Sequence, residues 1–187
     1  MIKAPSTAMP HVGQRASGAH LAHFPHVKAI EFRNAMRNLA SGVAIVATGI
    51  GDARRGLTAS SVTSLCMDPP CLLVSVNTKS ETHGSILTNG YFGISLLRDG
   101  QEALAQRFAG LTGVSGADRF GDARWNAGIT GAPLLETAIC TIDCVLQQHQ
   151  IVGSHGILIG RIVATRQHCA GNPVINFQGE LHTLPVA

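Results

Sequence analysis

Residues 56–97 read GLTASSVTSLCMDPPCLLVSVNTKSETHGSILTNGYFGISLL, and this stretch decides the fold. Two apolar, β-branched runs flank Pro69-Pro70, which is turn chemistry between strands. Gly56 to Cys66 is expected as one strand and Cys71 to Asn77 as the next. A Ser/Thr-rich loop follows, and Ser80 is placed to cap a helix running to Leu87. Tyr91 to Leu97 returns as a strand. A hydroxyl-rich passage from strand to helix presents many hydrogen-bond donors to one flat, phosphate-bearing ligand.

Outward from this centre the pattern stays strand-rich. Ile30, Arg33, Ala35, Met36, Leu39 and Ala40 predict a short helix ending near Ser41-Gly42. Val43 to Thr48 is an apolar strand, and Gly49 to Asp52 is a turn. Gln101 to Phe108 reads as a helix with Leu104, Ala105 and Phe108 on one side. Residues 110–132 are Gly-rich and irregular around Arg119, Phe120 and Trp125. Ala138 to Gln150 and Gly153 to Gln167 are long strands, and Val174 to Phe177 with Leu181 to Leu184 form a closing pair. Many strands, few helices and short connections predict a mainly β fold, a closed or partly closed antiparallel barrel. Residues 1–28 are expected to be a mobile arm, and residues 29–187 the domain.

The 187 residues suffice for one domain with a core. Hydrophobic residues make up 45% and charged ones 13%, a low charge density that points to an oligomer interface. A formal net charge of +3, with no basic run beyond Arg54-Arg55, argues against nucleic acid as a partner. No apolar run approaches the roughly 20 residues that cross a bilayer, and the first residues lack a signal-peptide core. Cys66, Cys71, Cys140, Cys144 and Cys169 form no C-x-x-C pair. They are read as reduced and buried, hence in a cytoplasmic protein. No metal site is expected. His20, His23 and His26 are three apart, but Pro25 opposes the helix that would align them.

Gly49-x-Gly51 with Gly56 imitates a dinucleotide fingerprint, but strand-forming Thr58, Val62 and Thr63 follow where a helix should start. A hairpin turn is the better reading. In Thr58-Ala59-Ser60-Ser61 alternate side chains share a face, and their small size lets a planar ring approach the backbone. An ordinary strand with solvated hydroxyls fits these four residues equally well. From Ser75-Val76-Asn77-Thr78 the chain runs into Ser80 and Thr82. There a helix N-terminus and two hydroxyls would hold a phosphate, with Lys79 adding charge. Ser80 as a plain helix cap remains the simpler alternative. His155 stands ahead of a strand, where it is either structural or a hydrogen-bonding partner for a ligand.

Together these residues resemble the flavin reductase family, the small reductase partners of two-component flavin monooxygenases. The resemblance runs from Phe32 to Leu184. Its marks are Phe32-Arg33-x-Ala35-Met36, Ser41-Gly42-Val43, Leu57 to Ser61, Asp68-Pro69-Pro70 and Ser75-Val76-Asn77 with Ser80. Phe92 to Leu97, Gln106 to Ala109, Arg119-Phe120, Trp125, Gly131 to Leu135 and Gly153-Ser154-His155 complete them. It implies a homodimeric, Greek-key, FMN-binding split β-barrel with a few flanking helices, taking FMN or FAD. It implies flavin contacts at Thr58, Ala59, Ser60 and Ser61, and at Ser75, Val76, Asn77 and Thr78. Phosphate contacts fall at Ser80 and Thr82, and His155 lies near the nicotinamide as the catalytic residue. The chain departs from many relatives at Ser154, where they carry Asp, and at Lys79, where they carry Arg.

The implied activity is hydride transfer from NAD(P)H to FMN or FAD, with reduced flavin released by diffusion to a separate monooxygenase. Such chemistry belongs to the cofactors and needs no protein nucleophile or carboxylate pair, and no such motif stands in the chain. One alternative is a non-enzymatic flavin carrier or sensor on the same barrel. Another is a flavin oxidase acting on a substrate such as a pyridoxine phosphate.

Overall fold

A computed structural model describes residues 24–168 and 171–185. Residues Phe24–Ala35 and the compact unit Met36–Ala187 are distinct bodies. The first carries most of helix α1 (Ala29–Met36), whose residues are all exposed. In the second, β1 (Ser41–Gly42), β2 (Ala44–Thr48), β3 (Arg55–Ala59), β4 (Val62–Met67) and β5 (Pro70–Asn77) lead to helix α2 (Glu81–Asn89). Then come β6 (Tyr91–Leu96), helix α3 (Glu102–Phe108), β7 (Trp125–Ala127) and β8 (Pro133–Leu135). Two long strands, β9 (Cys140–Val152) and β10 (His155–Gln167), precede β11 (Val174–Phe177) and β12 (Glu180–Thr183).

Seven strands form one antiparallel sheet in the order β3-β2-β6-β9-β10-β5-β4. Its two edge strands are consecutive in the chain, joined only by Ser60 and Ser61. Laid flat, six strand spacings would separate those edges by about 29 Å. Three Cα–Cα steps from Ala59 to Val62 reach at most about 11 Å. The sheet must therefore roll into a barrel, and the absence of a β3–β4 ladder in the sheet order leaves it split along that seam. The expected single strand from Gly56 to Cys66 is thus two strands on opposite edges. No composition change at Ser60-Ser61 marks the break, because closure of the distant sheet imposes it.

The barrel interior is filled by Ala44, Val46, Ala59, Leu72, Val74, Val76, Phe92, Ile94, Cys144 and Leu158, with Ile86 of α2 plugging one end. A second core lies outside the sheet, where Val43, Ile45 and Ala47 meet Ala105 and Phe108 of α3, Phe120 and Leu135. β2 is therefore buried on both faces, which explains its unbroken apolar run. Phe108 and Phe120 meet edge to face at 5.0 Å, and Trp125 donates its indole N–H to the Phe120 carbonyl at 3.0 Å. Each of those buried phenyl rings contributes about 2–3 kcal/mol of apolar burial. Gly56 makes the approach possible, since a Cβ there would sit 2.7 Å from the Phe108 ring.

β1, β11 and β12 form a small separate sheet, and β7 pairs with β8. The helix expected to reach Ala40 stops at Met36, because the Arg37 carbonyl is taken by the Gln178 N–H at 2.8 Å. Cys66 is exposed rather than buried, since it lies on edge strand β4; Cys71 and Cys144 are buried and Cys140 is partly so. Cys169, His20, His23 and most of the predicted arm lie outside the described residues. Among the described residues, no helix is long and apolar enough to cross a membrane.

Candidate functional site

Ladder register brings four segments to one corner of the barrel. Asn77 at the end of β5 stands opposite His155 at the start of β10, and Ser75 opposite Ile157. On the other side of β5, Val62 opposes Val74. Ser61 is therefore level with Ser75 and donates its hydroxyl to the Ser75 carbonyl at 2.8 Å. Thr78 donates both its N–H, at 3.0 Å, and its hydroxyl, at 3.1 Å, to the Ser154 carbonyl. Ser60 is exposed at this seam, and from Thr78 the chain turns directly into α2.

The turn into α2 is built from local polar contacts. Asn77 accepts the Lys79 N–H on its side-chain oxygen at 2.9 Å and the Ser80 N–H on its carbonyl at 3.0 Å. Ser80 caps α2, accepting the His83 N–H at 3.1 Å. The N–H groups of Glu81 and Thr82 have no carbonyl one turn earlier to bond, so they face outward at the positive end of the helix. A cavity of about 230 Å³ opens there, lined by Arg55, Gly56, Leu57, Ser80, Glu81, Thr82, Ser115, Gly116 and Arg119. Arg55 reaches Glu81 at 3.0 Å. Arg119 is clamped to the carbonyls of Val114 at 3.0 Å and Gly56 at 3.1 Å, which fixes its charge in the wall. Helix N–H groups, two hydroxyls and two guanidinium groups fit a phosphate ester.

Ser60, Ser61, Ser75, Asn77, Thr78, Ser80, Thr82 and His155 thus gather along one seam. The remaining expected residues contribute differently. Thr58 turns away, and its hydroxyl donates to the Ala105 carbonyl of α3 at 2.6 Å. The alternation expected to pair it with Ser60 ends at Ala59. Ala59 and Val76 are buried in the barrel core, so only their backbone is available at the seam. Sequence reasoning missed Arg55, Ser115, Gly116 and Arg119, which reach α2 from far along the chain.

His155 is exposed, and its Nδ1 lies 2.9 Å from the Ser154 hydroxyl. This contact orients the ring without the negative charge that an Asp would bring. His83 was also missed. It is 5% exposed, its Nε2 has no hydrogen-bond partner, and its ring fills the place where Gly156 lacks a side chain. Burial, with the His149 charge second, holds its pKa below the usual histidine value.

Comparison with known proteins agrees with this fold. Residues 36–185 match the model of the flavin reductase like domain. The chain is 35% identical over 159 residues to the FMN reductase (NADH) RutF of Pseudomonas syringae pv. syringae strain B728a, covering 85% of this chain and 88% of that one. The flavin reductase component BorF of a bacterial two-component tryptophan halogenase superposes with a TM-score of 0.79 at 32% identity, covering 86% of this chain and all (100%) of that one. The Streptomyces globisporus C-1027 NADH:FAD oxidoreductase, solved with NAD and FAD fragments, gives a TM-score of 0.74 at 28% identity, covering 82% of this chain and 90% of that one. With its split barrel and its match across nearly the whole compact unit, this chain belongs to the flavin reductase like domain family.

Proposed function

We propose that this chain is an NADH-dependent flavin reductase that uses FMN or FAD as a diffusible substrate and hands reduced flavin to a separate monooxygenase. The observation that carries this reading is the meeting of Ser60-Ser61, Ser75, Asn77-Thr78 and Ser154-His155 beside the cationic cavity at the start of α2. Relatives named FMN reductase (NADH) support FMN and NADH, and the FAD and NAD fragments in the Streptomyces enzyme keep FAD in view.

The flavin supplies the redox chemistry, accepting a hydride from the nicotinamide. The protein's work is positioning. Ser60 and the backbone at the seam meet the polar edge of the ring, and their N–H groups are suited to stabilise negative charge there. The first turn of α2, with Ser80, Thr82 and Arg55, holds the phosphate. His155, oriented by Ser154, offers a hydrogen-bonding ring on the nicotinamide side. Exposed, mostly backbone-level contacts at the seam suit a flavin that must leave after each turnover.

Exposed apolar side chains on α1 (Ile30, Phe32, Met36) and on the β9–β10 hairpin (Ile151, Val152) support a homodimer as the working form. Reduced thiols and dependence on NADH support a cytoplasmic setting. The test is steady-state oxidation of NADH and NADPH with FMN, FAD or neither. Turnover that requires added flavin is expected. A tightly bound flavin that NADH does not reduce would overturn the reading in favour of a carrier.

A further inference from the structure

We propose that Cys66 and Cys71 are a peroxide-modification site, closing to an intramolecular disulfide across the β4–β5 hairpin. The two residues are direct partners in the antiparallel ladder. Direct partners lie about 4.5–5.5 Å apart at Cα with side chains on one face. That separation falls within the roughly 4.4–6.8 Å over which disulfides form. The pair is asymmetric in access. Cys66 is exposed on the edge strand, while Cys71 is 4% exposed behind it. Each thiol now donates to an oxygen, Cys66 to the Pro69 carbonyl at 3.1 Å and Cys71 to the Gln147 side chain at 3.6 Å. Burial raises the Cys71 pKa, and the neighbouring Cys66 thiol adds to the shift. Nothing in the flavin seam uses either residue, since the hairpin turn lies at the far end of β5 from Asn77.

The chemistry takes two steps. The Cys66 sulfur attacks one oxygen of hydrogen peroxide; an S–O bond forms, the O–O bond breaks, and the departing hydroxide leaves as water with the thiol proton. The Cys71 sulfur then attacks Cys66; an S–S bond forms, the S–O bond breaks, and a second water leaves with the Cys71 proton. Two thiols are oxidised and one peroxide is reduced to two waters. Reduced flavin released into air would make that peroxide from dioxygen. Only this source rests on the proposed function; the site itself does not.

The test treats the full-length reduced protein with hydrogen peroxide, alkylates the remaining thiols and examines residues 56–79. Trypsin releases these as one peptide containing Cys66 and Cys71 and no other cysteine. Met67, 87% exposed, reports the peroxide dose as its sulfoxide. The expected result is a peptide two hydrogens lighter that takes no alkylating agent. In Cys71→Ser, Cys66 should instead stop at a sulfenic acid that a dimedone probe traps. In Cys66→Ser, at an exposed position, Cys71 should stay alkylatable. Both thiols remaining alkylatable once Met67 is oxidised, or a Cys66–Cys66 link between chains, would overturn the proposal. A second arm replaces added peroxide with NADH, FMN and air. Disulfide that appears there and is suppressed by catalase locates the oxidant in turnover. Failure of that arm while direct peroxide succeeds would count against the flavin reductase reading and leave the site standing.

Discussion

Gly156→Ala is predicted to destabilise the domain through a single side chain, His83. A Cβ at Gly156 would fall 2.4 Å from His83 Nε2 and 2.8 Å from its Cδ2. The ring has little freedom to yield. His83 is 5% exposed, and its backbone N–H is held by the Ser80 cap at 3.1 Å. Overpacking of this kind costs about 1–3 kcal/mol. At roughly 2–4 °C per kcal/mol for a chain of this length, Tm should fall by about 2–12 °C. Displacing His83 would also disturb Ser80 and Thr82, so flavin affinity should fall with it. Glycine in a strand is otherwise unfavourable, and alanine there should gain a few tenths of a kcal/mol to about 1. The sign of the effect therefore depends on His83. In a His83→Ala background, Gly156→Ala should become neutral or stabilising. The assay is a double-mutant cycle by chemical denaturation, with an expected coupling of about 1–3 kcal/mol. Equal losses in both backgrounds would refute the collision and place the cost elsewhere in β10.

Three further outcomes are expected. His83 is buried as the neutral ring, with its pKa below the 6.5 of an ordinary histidine. Above about pH 6.5 it is neutral whether folded or not. As pH falls below that, the unfolded chain binds the proton first, so stability declines by up to about 1.4 kcal/mol per pH unit until the folded-state value is reached. Comparing denaturation midpoints of His83→Leu and the parent across that range isolates the effect, and parallel curves would remove His83 as its source. Ser80→Ala should cost about 1 kcal/mol of stability through the lost cap. It should also weaken FMN binding several-fold while leaving riboflavin, which has no phosphate, unchanged. Equal weakening of both ligands by titration calorimetry would move the phosphate away from α2. Gly160→Ala would place a Cβ 2.5 Å from the Phe92 ring and 2.9 Å from the Cys144 Cβ, both in the barrel core. A loss of about 1–3 kcal/mol is expected, and an unchanged denaturation midpoint would show that the core yields there.

Much of the fold was legible because its signals are local. Pro69-Pro70 between two β-branched runs gave the β4–β5 hairpin, and Ser80 capped α2 where its spacing said it should. The long β9 and β10 runs paired with each other as their sequence suggested. The hydroxyl-rich residues from Ser60 to Thr82 could be read together as a candidate ligand surface because they lie close together in the chain.

What the sequence by itself determined is therefore most of the elements, many of their caps and turns, and the mostly short polar segments from which the seam is built. The tertiary structure alone decided which of those residues face one another. Closure of the sheet split Gly56–Cys66 at Ser60-Ser61 and turned Thr58 toward α3 instead of the seam. The same closure carried Arg55 and Arg119 to the start of α2 and set His83 into the gap left by Gly156. The physical reason is range. Propensity, capping and turn geometry act over a few neighbouring residues. Strand register and barrel closure act across the whole sheet, where each position is set by partners tens of residues away.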